Sequence, residues 1–403
     1  MSGRLSILVA AHNEAERIGA TVAALFAEFP GATVIVADDG SRDGTAAAAA
    51  AAGARVVSMP RRGKGQALTL VEGEAPPGPL LLCDADVRGR LAPLLEGNAD
   101  LTVAAFTERQ GGGLGIAKQA ARALIRLRTG FEAREPLSGQ RALSEAARAR
   151  CFPLAAGFGC EVGMTVDARS AGLTVREIEL PLEHRVTGRD LAGFLHRGRQ
   201  FVHVLLAFGP QGVNHRGLRL PLTGWAVGLA GGPAASAVAA VGLADDLWSG
   251  PERGFAAHLR AGRTTGVLKL VVVPAVGLLA TRKVSGALLV GLAANLLNQL
   301  DTKPGRALKA YLLATAPLRA PLATAVVSLP YDLREMAMLG DAGANALGAM
   351  LGLNSVERLT GRKRWMAIGA LASLNILGEL RSLGELIERT PVLRDLDAVG
   401  RQT

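Results

Sequence analysis

Thr33-Val34-Ile35-Val36-Ala37-Asp38-Asp39-Gly40-Ser41-Arg42-Asp43-Gly44-Thr45 decides the reading of this chain. An apolar run of buried-strand length stops at two adjacent carboxylates, and a glycine-punctuated turn leads into an alanine-rich helical stretch, Thr45–Ala52. The same grammar extends on both sides. Leu5–Ala11 is an earlier apolar run, followed by a helical pattern from Ala15 to Phe29. Ala54–Ser58 is a third strand, and Leu80–Cys83 is another that stops at Asp84-Ala85-Asp86. Alternating strands and helices predict an α/β unit with a mostly parallel, Rossmann-like sheet, which binds ligands at the carboxyl edge of its strands. Both acidic clusters fall at that edge, and hard oxygen ligands of this kind suit Mg2+ or Mn2+ against phosphate oxygens.

The chain has 403 residues, enough for two domains. Hydrophobic residues make up 49% and charged residues 20%, with a mean hydropathy of +0.26. That mixture suits a soluble domain joined to membrane segments. The formal charge of +10 fits an anionic membrane face. Nucleic acid is not expected as a partner, because aromatic residues are only 4% and no basic run alternates with them. Cys83, Cys151 and Cys160 form no CxxC pair, which points to a reducing compartment without structural zinc or disulfide. Leu5–Ala11 is too short for a signal peptide, so the N-terminal half is expected in the cytosol. Gly63-Lys64-Gly65 lacks P-loop spacing, and Gly111–Gly115 reads as a mobile loop before a helix at Ile116–Leu127.

Four pieces in order resemble the family 2 nucleotide-sugar glycosyltransferases of the GT-A fold. They are Ala10-Ala11-His12-Asn13-Glu14, Val36–Thr45, Arg62-Gly63-Lys64-Gly65 and Asp84-Ala85-Asp86. The resemblance covers about the first half of the chain. It implies a donor site of Ala10, Asn13, Glu14, Asp38, Asp39, Lys64 and Asp84, with Asp84, Asp86 and His184 around Mg2+ or Mn2+. Pro136–Leu143, which contains Gln140 and Arg141, is similar to an acceptor-side segment of transferases acting on polyprenyl phosphate. Gly157–Gly163 is similar to the segment carrying a catalytic carboxylate, here Glu161. The expected catalytic group is therefore Glu161, Asp86, Gln140 and Arg141. Simpler readings stand beside these: a turn with a helix N-cap at Ser41 or Thr45, a solvated loop lysine at 64, an arginine-paired Glu161 and a surface His184. Arg185–Arg199 reads as a basic amphipathic segment for an acceptor phosphate or the bilayer surface.

Beyond about residue 217 the composition turns apolar: Pro221–Leu243, Gly266–Ala280, Val284–Leu297, Ala310–Leu329, Ala342–Leu353 and Met366–Gly378. Gly242–Asp246, Asn295–Asp301 and Leu339–Gly348 resemble the three acidic motifs of the polyprenyl-phosphate phosphosugar transferases, which include phospho-N-acetylmuramoyl-pentapeptide transferase. The resemblance implies a second site of Asp245, Asp246, Asn298, Asp301 and Asp341 that holds Mg2+. Two departures reduce it: Pro304 stands where the family repeats an aspartate, and the last third contains no histidine. Retention and loss of that second activity both stay open. Several apolar stretches are shorter than the approximately 20 residues of a straight span. Gly231-Gly232-Pro233 and Pro317–Pro321 read as turns of re-entrant hairpins, which need burial in protein or in a homo-oligomer.

The sequence thus predicts a GT-A domain over 1–212 and an all-α membrane domain over 213–403, in a multi-pass protein of the cell membrane with its N-terminal domain in the cytoplasm. The expected activity is metal-dependent sugar transfer from a UDP- or GDP-sugar to polyprenyl phosphate or a phosphorylated small molecule. The alternatives are a bifunctional enzyme that also transfers a phosphosugar and a non-enzymatic membrane scaffold for envelope glycan synthesis.

Overall fold

The computed structural model describes residues 4–106, 116–182, 191–214, 216–248, 265–318 and 320–401, without the side chains of 116 and 191–197. The chain divides into two compact units, Met1–Gly209 with Gly217–Arg219, and Pro210–Arg216 with Leu220–Thr403. The first contains β1 (Ser6–Ala11), α1 (Ala15–Glu28), β2 (Thr33–Asp39), α2 (Thr45–Ala51), β3 (Arg55–Met59), α3 (Lys64–Glu72) and β4 (Leu80–Asp84). It continues through β5 (Leu101–Phe106), α4 (Ile116–Thr129), β6 (Arg141–Leu143), α5 (Glu145–Cys151), α6 (Cys160–Ser170), β7 (Val175–Leu180) and α7 (Leu191–Phe208).

The seven strands lie in the order β3-β2-β1-β4-β6-β5-β7. All pairings are parallel except those of β6, which runs antiparallel between β4 and β5. Side chains alternate across a strand, so Ile7, Val9, Val34, Val36, Leu81 and Cys83 enter one core with Ile18, Val22 and Leu25 of α1. Leu8, Ile35, Leu80 and Leu82 enter the other with Leu68 and Val71 of α3 and Met164 of α6. Covering both faces is what permits the strands to be continuous apolar runs. The register sets Ala11 beside Asp38 and Ala10 beside Asp84, so the ends of β1, β2 and β4 meet at one edge.

After a short strand pair, β8 (Gln211–Val213) and β9 (Arg219–Pro221), the second unit is helical. It runs α8 (Gly224–Ala230), α9 (Pro233–Trp248), α10 (Thr265–Thr281), α11 (Val284–Leu300), α12 (Arg306–Leu318), α13 (Ala323–Leu333), α14 (Gly340–Arg358), α15 (Gly361–Leu380), α16 (Leu383–Arg389) and α17 (Pro391–Ala398). At its centre is α14, buried along most of its length. Glycine makes this close seating possible: a Cβ on Gly348 would lie 2.4 Å from Cα of Ala294, and one on Gly352 would lie 2.6 Å from Cα of Val290.

The expected transmembrane helices are not found here. Among the described residues no helix is long and apolar enough to cross a membrane. The backbone breaks the apolar stretches: Gly231-Gly232 ends α8 before α9 begins, with Gly232 at φ +88°, and the chain leaves α12 at Leu318 before α13 starts at Ala323. The predicted loop at Gly111–Gly115 lies outside the described residues.

Replacing Gly352 with valine should force α11 and α14 apart. Overpacking of this kind costs about 1–3 kcal/mol, visible as a drop of several degrees in the midpoint of thermal unfolding. An unchanged midpoint would mean that the two helices do not pack so closely.

Candidate functional site

Two loops meet where β1 and β2 end. Asn13, at φ +56°, receives a hydrogen bond from Arg42 N–H on its Oδ1 (2.9 Å), and its own N–H donates to Ser41 Oγ (2.9 Å). Thr45 does not cap α2, whose N-cap is Gly44; its hydroxyl oxygen accepts from Glu14 N–H at 2.8 Å. The Glu14 carboxylate pairs with Arg17 (3.1 Å).

Asp38 and Asp39 were expected to face the nucleotide. Both are buried, and both carboxylates are engaged by the protein. Asp38 accepts from Ser41 N–H (3.1 Å) and Ser58 Oγ–H (3.0 Å). Asp39 accepts from the N–H groups of Arg62 (2.6 Å) and Gly63 (2.9 Å), and so fixes the loop that launches α3.

Lys64 opens that helix and is no solvated loop lysine. Its ammonium lies 2.5 Å from Asp84 Oδ1 and 2.7 Å from Glu161 Oε1. Burial alone would depress its pKa, but the two carboxylates outweigh burial and raise it well above the usual lysine value. The partner of Glu161 is thus this lysine, not an arginine. Glu161 is 4% exposed, and its second oxygen accepts from the Cys160 thiol at 3.0 Å. Burial pushes that thiol up, which keeps it a donor.

Gln140 donates from Nε2 to Asp84 Oδ2 at 2.9 Å, so Asp84 is held on both oxygens. Arg141 was expected among the catalytic side chains. It is fully buried and donates to Ser138 O (2.7 Å), Thr165 Oγ1 (2.9 Å) and Pro136 O (3.0 Å), which makes it the staple of the Pro136–Gln140 loop.

Asp86 is partly exposed, and its carboxylate makes no hydrogen bond or ion pair with the described residues. An uncommitted carboxylate two residues from Asp84 fits a hard divalent cation. His184 lies outside the described residues, and among those described no group of three metal-ligating side chains is assembled.

Two contributors escaped the sequence reading. Gly139 passes so close to the ion pair that a Cβ there would sit 2.3 Å from Asp84 Oδ2 and 2.5 Å from Lys64 Nζ. His203 of α7 accepts the Phe158 N–H on Nδ1 at 3.1 Å and stacks on the Phe158 ring, bracing the turn before Glu161. Gly139 was visible only as part of a motif, and His203 had no sequence signal.

In the helical unit, all five expected residues of the second site, Asp245, Asp246, Asn298, Asp301 and Asp341, line one cavity of about 1090 Å³. Asp246 accepts from the N–H groups of Asp341 and Ala342, both at 2.9 Å, and so caps α14. Burial raises its pKa to about 6 despite those bonds. Asp301 is likewise pushed well up, by burial and by Asp332, Asp341 and Asp246.

Lys269, which the sequence reading passed over inside an apolar stretch, reaches Asp245 Oδ2 at 2.6 Å and also pairs with Asp341. Burial pushes Asp341 up to about 7; it also opposes ionisation of Asp245, yet hydrogen bonds from Asp341 and Lys269 hold Asp245 below the usual range. The magnesium implied here does not fit the arrangement as it stands, because a protein ammonium already bridges two of the carboxylates and a helix terminus occupies a third.

With this geometry in view, residues 6–129 match the family model described as Glycosyl transferase family 2. That match covers the strands and helices from β1 to α4. A curated relative, Glycosyltransferase AglJ of Haloferax volcanii, is 30% identical over 196 residues, which is 46% of this chain; the chain spans 64% of that relative's length. Solved structures similar to this chain include glucosyl-3-phosphoglycerate synthase from Mycobacterium tuberculosis with Mg2+ and uridine diphosphate, at 26% identity over 51% of this chain and 79% of that one, with a TM-score of 0.43. The same enzyme with Mn2+, uridine diphosphate and glucosyl-3-phosphoglycerate matches at 25% identity over 55% of this chain and 87% of that one, also with a TM-score of 0.43.

His203 gives the domain a pH dependence. Burial and Arg199 lower its pKa from 6.5, so the folded state favours the neutral ring. Stability from this group is complete above about pH 6.5 and falls as the pH drops below it, because the unfolded chain takes up the proton first. His203→Gln keeps an acceptor for Phe158 and should flatten the slope of unfolding free energy between about pH 6.5 and 5; an unaltered slope would assign it to other groups.

Proposed function

We propose that this protein is a metal-dependent glycosyltransferase that passes sugar from a UDP- or GDP-sugar to polyprenyl phosphate or another phosphorylated acceptor at a membrane face. The observation that carries the proposal is the Asp84–Lys64–Glu161 chain at the carboxyl edge of the sheet, with Asp86 near it making no hydrogen bond or ion pair with the described residues. Asp86 and His184 would hold Mg2+ or Mn2+, which neutralises a departing diphosphate when bound; Asp84, both of whose oxygens are engaged by Lys64 and Gln140, would join them only by giving up one of those partners. Lys64 supplies a buried point charge beside the same leaving group. Gln140 holds Asp84 in orientation, and Glu161, nearly closed to solvent, orients Lys64 toward the acceptor side. Asp38 and Asp39 shape the nucleotide pocket through the loops they fix.

Placement at a membrane is supported by the helical unit's surface. Trp365, Met366, Leu374, Ile376 and Leu380 of α15 are exposed, next to exposed Arg362 and Lys363. The protein should float with vesicles containing anionic lipid and be released as salt shortens the screening length. Failure to float would remove the membrane from the proposal.

Nucleotide release by the full chain with Mg2+ or Mn2+, a panel of nucleotide sugars and polyprenyl phosphate tests the chemistry. Nucleoside diphosphate should appear, and Asp86→Ala should slow it by about 100-fold or more, since a metal contributes several kcal/mol of charge stabilisation. Unchanged turnover in Asp86→Ala would sink the assignment, and no turnover with any donor would favour the scaffold reading. Nucleoside monophosphate lost on Asp245→Ala would favour the bifunctional one.

A further inference from the structure

The cavity of the helical unit departs from the metal site its acidic motifs imply, and the departure is specific. Two carboxylates from different helices, Asp245 of α9 and Asp341 of α14, converge on one point. Lys269 of α10 fills that point with an ammonium, 2.6 Å from Asp245 Oδ2 and also paired with Asp341. The site is nonetheless unfinished as a hydrogen-bonded structure. Asp245 is 8% exposed and Asn345 4% exposed, and among the described residues Oδ1 of Asp245 and Nδ2 of Asn345 have no hydrogen-bond partner. Both residues line the cavity. Unsatisfied polar atoms this deeply buried are costly and mark a place where something polar is received.

We propose that Lys269 is the resident cation of this cavity: its side chain stands in for a divalent ion between Asp245 and Asp341, and closes the site to metal. Three features lead to this. A lysine carried on α10 is present at its carboxylates without a diffusional search, at an effective concentration a free ion does not match. Its side chain is only 18% exposed, so displacing the ammonium would leave a largely buried charge without its counter-ions. Asp246, a further carboxylate of the same cavity, spends both oxygens on the N–H groups of α14. The helical unit therefore keeps the carboxylates of a metal site with a built-in lock.

The proposal is tested by Mn2+ binding to the full chain, followed by electron paramagnetic resonance, in a background of Asp86→Ala that removes the candidate metal carboxylate of the first unit. With Lys269 in place, no Mn2+ should bind in a way that Asp245→Asn abolishes. Adding Lys269→Met should create one such site, at least ~100-fold tighter than any binding with the lysine present, since breaking a buried pair is worth that much or more. Lys269→Arg, which keeps a cation, should create none. Mn2+ should also raise the unfolding midpoint of the Lys269→Met chain and leave that of the Lys269 chain unmoved. The proposal is overturned if the Lys269 chain already holds an Asp245-dependent Mn2+, or if a folded Lys269→Met chain gains none. The first of these needs no change in the helical unit, so poor folding of the methionine variant does not protect the idea. Both readings are independent of whether sugar is transferred.

Discussion

An ammonium group withdrawn from water is stable only if negative charge reaches it from more than one side. Lys64 meets this condition with two carboxylates supplied by separate parts of the first unit, one at the end of β4 and one in the first turn of α6. Much else in that unit exists to bring the three together. Asp39 holds the Arg62-Gly63 backbone from which α3 departs, and Gln140 fixes the far oxygen of Asp84. Arg141 staples the loop that delivers Gln140, while Gly139 lets that loop press against the pair. His203 braces the turn ahead of Glu161. A site organised in this way is rigid before any ligand arrives, which is what charge stabilisation of a leaving group requires.

Parts of this were legible in the chain and parts were not, for identifiable reasons. Thr33–Ala37 and Leu80–Cys83 could be read as strands because a sheet covered on both faces demands uninterrupted apolar runs. The short β6 gives no periodic signal in three residues, and its antiparallel direction follows from neighbours remote in sequence. The carboxylates at the strand ends were visible as chemistry, but their allocation was not. Asp38 and Asp39 look like ligand groups, and the sequence does not disclose that they also organise loops, because backbone N–H groups in tight turns compete for the same oxygens. Lys64 was legible as a donor-side charge, but its ion pairs were not, since its two partners come from other stretches of the chain.

The helical unit shows the same limit from the other side. Its acidic motifs were visible, and all five of the residues they suggested do line one cavity. What the motifs could not disclose was the cation. Lys269 sits in a run of glycine, valine and leucine, and such a residue is tolerated only when its head group finds anions in the interior. Read by that rule, a solitary lysine in an apolar stretch asks which acidic residues lie across from it. The expected spanning helices are not among the described residues for a related reason: hydropathy counts apolar residues, whereas Gly231-Gly232 and the prolines around 317–321 decide where helices stop.

The seating of α14 has a bearing on biosynthesis. A helix enclosed on nearly every side has no stable existence by itself, and its groove is formed by α9 and α11, which leave the ribosome earlier. The nascent chain therefore carries an open apolar trough until residues 340–358 emerge. Chains halted before that point expose the trough for good, which makes premature termination there a route to aggregation, not to a smaller working protein.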